Sequence, residues 1–113
     1  MEPIFPDLVN RNAFLLKAKQ PFVDWFNQHT EESFTDGGEG HIYLADDCAT
    51  PEETEEWIRD NFELMFQNEL QDWDFSGESW PKNRTYELFR EWFEIEFHSI
   101  VFDLGKEPLG IEE

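Results

Sequence analysis

Glu94, Glu96 and His98 alternate along the chain, with Ile95 and Phe97 between them. On a strand, three such side chains project from one face and their neighbours from the other. Two carboxylates and an imidazole together are donors for a divalent cation, and Asp46, Asp47 or Asp103 would complete the shell if the fold brought one of them near. The same pattern also makes an ordinary solvated strand face, because in a chain with 27 acidic residues a Glu beside a His arises by chance. A general-base role for His98 finds no nucleophile or oxyanion donor in the neighbouring sequence.

Glu69 is the second residue of chemical interest. At 100° per residue it falls in the middle of an apolar stripe made by Ile58, Phe62, Met65, Phe66, Leu70 and Trp73, where an unpaired carboxylate is costly. Two readings follow. Either the helix frays or bends near Asn68 and leaves Glu69 wet, or Glu69 lines a cleft as a perturbed carboxylate paired with Arg84, Arg90 or His29. His29 itself ends an apolar helical face and reads as a core-edge residue. Cys48, the single cysteine, follows two aspartates, a setting that disfavours a nucleophilic thiolate, and it has no partner for an internal disulfide.

The strongest signal is charge. Between Glu31 and Ser79 stand sixteen acidic side chains and one basic one, Arg59, so this stretch carries −15 of the net −19. The first thirty residues are neutral. Such a field repels nucleic acid phosphates and anionic membranes and attracts basic proteins or cations. Glu53, Glu56, Asp60 and Glu63 form the face opposite the apolar stripe, and carboxylates on successive turns match rows of Lys and Arg on a basic partner. The bland alternative is a solubilising face. Crowding also predicts that carboxylates between Asp46 and Glu63 bind protons more readily in the folded chain, so that mild acid stabilises before strong acid harms.

These residues need elements to position them. A chain of 113 residues is expected to be one domain over 1–113, and twelve Phe, five Trp and two Tyr supply a core that disordered acidic chains lack. Residues 1–12 read as an extended lead-in, Ala13 to Lys19 as a strand, and Gln20-Pro21 as the start of a short helix burying Phe22, Trp25 and Phe26. Thr30 to Gly40 reads as a polar loop and His41 to Ala45 as a second strand. Thr50 as N-cap, Pro51 in the first turn and Glu53 in a capping box open the long helix. Asp74 to Asn83 is a loop pinned by Phe75 and Trp80. From Thr85 the apolar period changes from helical to alternating, which predicts a helix over 85–93 and a strand over 95–104 with a bulge near His98-Ser99; one long helix is the rival. Residues 105–113 form a loose tail. The order gives a small α+β domain, about three strands with about three helices packed on one face.

The run Thr85-Tyr86-Glu87-Leu88-Phe89-Arg90-Glu91-Trp92-Phe93, continuing to Glu96-Phe97-His98-Ser99 and Asp103-Leu104, resembles segments of small acidic bacterial proteins of unassigned function, as does the preceding acidic helix. The resemblance implies a bacterial, cytoplasmic protein and carries no activity. The lack of an apolar leader or spanning segment at the sequence level points to the same compartment. The first expectation is therefore a binding module for a basic protein partner, of the inhibitor, immunity or nucleic-acid-mimic type, with no direct contact to nucleic acid or membrane. A metal-binding protein or metal-dependent enzyme using Glu94, Glu96 and His98 is the second. An oligomer-forming accessory protein with Trp57 and Leu64 at a self-interface is the third.

Overall fold

The computed structural model describes residues 7–29, 38–74 and 76–112. In chain order the elements are β1 (Asp7–Leu8), β2 (Asn12–Ala18), α1 (Gln20–Gln28), β3 (His41–Ala45), α2 (Pro51–Gln71), α3 (Tyr86–Trp92), β4 (Phe93–His98) and β5 (Phe102–Asp103). The fold is α+β. An antiparallel sheet of order β3-β2-β4 is accompanied by a two-stranded ribbon of β1 and β5.

The register decides which side chains meet the helices. Phe14 on β2 faces Tyr43 on β3 and Phe97 on β4, and Leu16 faces His41 and Ile95. Because side chains alternate along a strand, this register sends His41, Tyr43, Ala45, Phe14, Leu16, Phe93 and Ile95 toward the helices. It sends Leu15, Lys17, Ile42, Leu44, Glu94, Glu96 and His98 the other way. The core on the helical side is largely aromatic: Phe66 meets Phe89 at 5.6 Å and Phe93 at 5.7 Å between ring centroids, and Phe22 meets Phe93 at 4.8 Å. Phe14, Phe66 and Phe89 are fully buried. Burying each such ring contributes roughly 1.5–3 kcal/mol, enough for a small sheet to be held by the helices on one face alone.

The long helix starts as its sequence dictates. Thr50 Oγ1 accepts from the Glu53 amide at 3.1 Å, and Glu53 Oε2 accepts from the Ala49 amide at 2.9 Å, so two otherwise orphaned donors are satisfied. Ile58, Met65, Phe66 and Leu70 form its buried stripe. Trp73 lies beyond the helix end, partly exposed, with its ring stacked on Phe26 at 4.2 Å. Trp80 holds the following loop through a 2.8 Å hydrogen bond from Nε1 to the Asp74 carbonyl. Phe75 and residues 30–37 of the polar loop lie outside the described residues.

The C-terminal third corrects two expectations. One long helix is excluded, because α3 ends at Trp92 and the chain turns straight into β4, whose six residues pair with β2. The expected continuation of that strand to 104 through a bulge is also absent. The chain leaves the sheet after His98, and Phe102 and Asp103 pair instead with Leu8 and Asp7. Ile100, Phe102 and Leu104 are consequently exposed rather than core. Their alternation serves a thin ribbon that no helix covers, and residues 104–112 contain no helix or strand.

Candidate functional site

Glu69 sits in the last turns of α2, which runs unbroken to Gln71, and only 7 % of it is exposed. Fraying at Asn68 is therefore overturned. Its partners are also other than the expected Arg84, Arg90 or His29. His41 Nδ1 lies 2.9 and 3.0 Å from the two carboxylate oxygens, and the Tyr43 hydroxyl donates to Oε2. Asn68 Nδ2 donates in turn to the Tyr43 oxygen at 2.9 Å. Both β3 partners come from alternate positions of one strand, so a single carboxylate fastens the strand to the helix.

The electrostatics follow from this geometry. The hydrogen bond to Glu69 raises the His41 pKa above its ordinary 6.5; burial works against it, and the charges of Glu69, Asp72 and Glu39 add to it. Burial pushes the Tyr43 phenol far above its ordinary value, with the Glu69 contact acting in the same direction. A carboxylate accepts only, so Nδ1 carries the His41 proton toward Glu69 and leaves Nε2 facing away. Gly40 lets β3 start close against β2: a Cβ there would meet Leu15 Cδ1 at 2.9 Å and the Leu16 carbonyl oxygen at 3.1 Å, so a side chain would crowd the neighbouring strand.

Beside the clasp, β3 and α2 enclose an open groove of about 350 Å³ lined by Tyr43, Leu44, Trp57, Asn61, Leu64, Met65 and Asn68. Trp57 forms its floor at one end, stacked on Phe14 at 5.3 Å. Leu64 is 70 % exposed on its helical wall. At helical spacing, Asp60 lies between Trp57 and Leu64 on the outer rim, with Glu56 one turn back. Asp46 and Asp47 follow β3 directly, and Glu39 precedes it.

The four carboxylates expected to form a partner face have diverged in role. Glu53 is engaged in the helix cap. Glu63 accepts from Arg84 Nε at 2.8 Å and Nη2 at 2.6 Å, and from Gln67 at 2.8 Å. Partial burial pushes the Glu63 carboxyl up, but these hydrogen bonds and the Arg84 charge outweigh it and hold the group below its usual range. That reverses the expected effect of crowding at this residue. Glu56 and Asp60 are exposed and make no ion pair among the described residues.

The bases explain the division. Arg59 approaches Glu55 at 3.6 Å and lies over the Tyr86 ring at 4.3 Å, while Arg90 donates to the Tyr86 hydroxyl at 2.8 Å. Together with Arg84 they gather on the flank of α2 that meets α3. The flank beside β3 carries Trp57, Asn61, Leu64 and Asn68, and Glu56 and Asp60 lie on the outer face between the two flanks.

Glu94, Glu96 and His98 do share one face of β4, as their alternation implies. His98 Nε2 pairs with Glu96 at 2.8 Å, and Glu94 stands opposite Lys17 in the register. The His98 hydrogen bond and charge, with a smaller contribution from Lys17, lower the Glu96 pKa. Among the described residues no group of three His, Cys, Asp or Glu side chains is placed to hold a metal ion. Cys48 is half-buried with its thiol toward the Asp46 carbonyl, and His29 is bonded to the Trp25 carbonyl at 2.7 Å. Asn12, fully buried, donates to Asp47 at 3.2 Å and accepts from the Cys48 amide at 2.9 Å in its satisfied amide orientation.

No described helix is long and apolar enough to cross a membrane. No protein-family model, no curated protein and no solved structure matches the chain.

Proposed function

We propose that this chain is a small acidic binding module for a basic protein partner, engaged through the outer face of α2 that carries Glu56 and Asp60. The observation behind this reading is the separation of charge on α2. Arg59, Arg84 and Arg90 serve Glu55 and Glu63 where α2 meets α3, whereas Glu56 and Asp60 on the outer face make no ion pair among the described residues. An uncompensated field increases the encounter rate with an oppositely charged partner.

The test is capture from lysate on immobilised protein at low and high salt, with the Glu56→Lys, Asp60→Lys double variant alongside. The reading expects a partner with a basic surface, released by salt and lost in the variant. A partner with an acidic surface, or one retained equally by the variant, would reduce the charge to a solubility device.

A further inference from the structure

We infer that β3 is a docking strand: a basic, extended segment of the partner pairs with its free edge as a fourth strand and sets an apolar side chain into the groove against α2. This rests on the reading of the chain as a module for basic partners, and it specifies how such a partner is held.

The two edges of the sheet are treated differently. β4 displays Glu94, Glu96 and His98 on its outer face, the charged dressing that discourages a further strand. β3 has no such dressing. Its residues, His41-Ile42-Tyr43-Leu44-Ala45, include no Lys or Pro, and their pairing with β2 runs without a bulge. Among the described residues nothing pairs with its other edge. Ile42 and Leu44 are 69 % and 46 % exposed on the sheet face away from the helices, where Leu44 stands near Val9, Val101 and Phe102.

An extended peptide added to an edge gains affinity from main-chain hydrogen bonds and specificity from pockets for alternate side chains. Here the pocket lies beside the edge, lined by Tyr43, Leu44, Trp57, Leu64 and Met65. The Glu69 clasp holds its two walls together by fixing Tyr43 to α2.

Charge selects the occupant. Glu39 stands at the start of β3, Asp46 and Asp47 at its end, and Asp60 on the rim of the groove. A segment with basic ends and an apolar centre complements all of these. A second copy of the chain, at a net charge of −19, would bring carboxylates against carboxylates.

The probe is a synthetic peptide, Lys-Lys-Val-Thr-Leu-Thr-Val-Lys-Lys, compared with the same peptide N-methylated at alternate central residues, which keeps the charge but removes strand-pairing donors. Amide hydrogen exchange and chemical shifts are followed by NMR. The inference expects the β3 amides to become protected on binding and N-methylation to weaken affinity by about tenfold or more, as loss of main-chain pairing requires. If both peptides bind equally, leave the β3 amides unprotected and are lost with the Glu56→Lys, Asp60→Lys variant, strand pairing is overturned while the acidic-module reading stands. If neither binds at low salt, both fail. Sedimentation showing a dimer with protected β3 amides in the absence of peptide would give the edge to a second copy and overturn the inference.

Discussion

His41 Nδ1 lies 2.9 Å from Glu69 Oε2, and that contact joins the edge strand of the sheet to the last turn of the long helix. With Tyr43 on the same carboxylate, it places a polar clasp where the sequence pattern calls for an apolar residue. The clasp lies next to the groove, so the stability of the fold and the shape of the proposed binding surface depend on the same side chains.

Glu69→Gln is expected to lower stability. The Gln amide would turn an NH₂ group toward at least one of two donors, His41 Nδ1–H and Tyr43 O–H, at a position that is itself buried. Urea denaturation should show a loss of about 1–3 kcal/mol, and Tyr43→Phe a loss of about 1 kcal/mol. An unchanged or higher midpoint for Glu69→Gln would mean that the clasp contributes nothing.

Stability should fall as pH rises above the ordinary histidine range. The folded-state pKa of His41 is raised above 6.5, so its contribution is complete below that value and is lost as pH rises through the higher folded pKa. The groups facing it are Glu69, Asp72 and Glu39. Thermal scans from pH 6 to pH 9 should show a decline that His41→Asn flattens; a decline of the same size in the variant would place the titrating group elsewhere.

At the acid end the sign is opposite. Hydrogen bonds from Ser76 and Ser79 hold Asp74 well below the ordinary 3.8, and Glu63 and Glu96 are also lowered, from 4.5. Depressed carboxylates contribute stability above their unfolded pKa values, and that contribution is lost as pH falls through the folded ones. Denaturation midpoints should therefore decrease steadily below about pH 4.5, the unfolded carboxylate range. A midpoint that rises between pH 4.5 and pH 3 would contradict this and restore mutual repulsion as the dominant effect.

Phe66→Ala should be among the most damaging single changes, at about 3–5 kcal/mol, because it leaves a cavity amid Phe89, Trp92 and Phe93. Leu64→Ala, on the exposed wall of the groove, should change stability by no more than about 0.5 kcal/mol. Equal losses for the two variants in chemical denaturation would refute the assignment of core and groove.

Much of the fold was legible from local chemistry. Thr50, Pro51 and Glu53 mark the start of α2 because capping is settled within a few residues, and the switch from helical to alternating period locates the turn from α3 to β4. The ribbon was not legible. Asp7–Leu8 and Phe102–Asp103 are too short to carry a pattern, and their pairing depends on where the chain leaves the sheet. The same limit hid the partners of Glu69. Its place in the apolar stripe is visible in the sequence, but His41 and Tyr43 reach it only because the register with β2 turns Tyr43, not Ile42 or Leu44, toward the helices. A strand whose polar positions face inward at a buried carboxylate was the available signal. The acidic face was visible as a charge pattern, and the capping role of Glu53 with it, whereas the removal of Glu63 required Arg84, 21 residues on, to be placed in space.

The proposed function rests on Glu56 and Asp60 acting as the acidic surface that holds the partner. It is tested most directly by fluorescence anisotropy of the basic-ended peptide at increasing salt, with the wild-type chain and the Glu56→Lys, Asp60→Lys variant, whose fold is checked by circular dichroism. Screening beyond about 8 Å at physiological ionic strength should weaken wild-type binding steeply as salt rises, and the folded variant should show none. Binding that ignores salt, or that survives intact in the variant, would contradict the account.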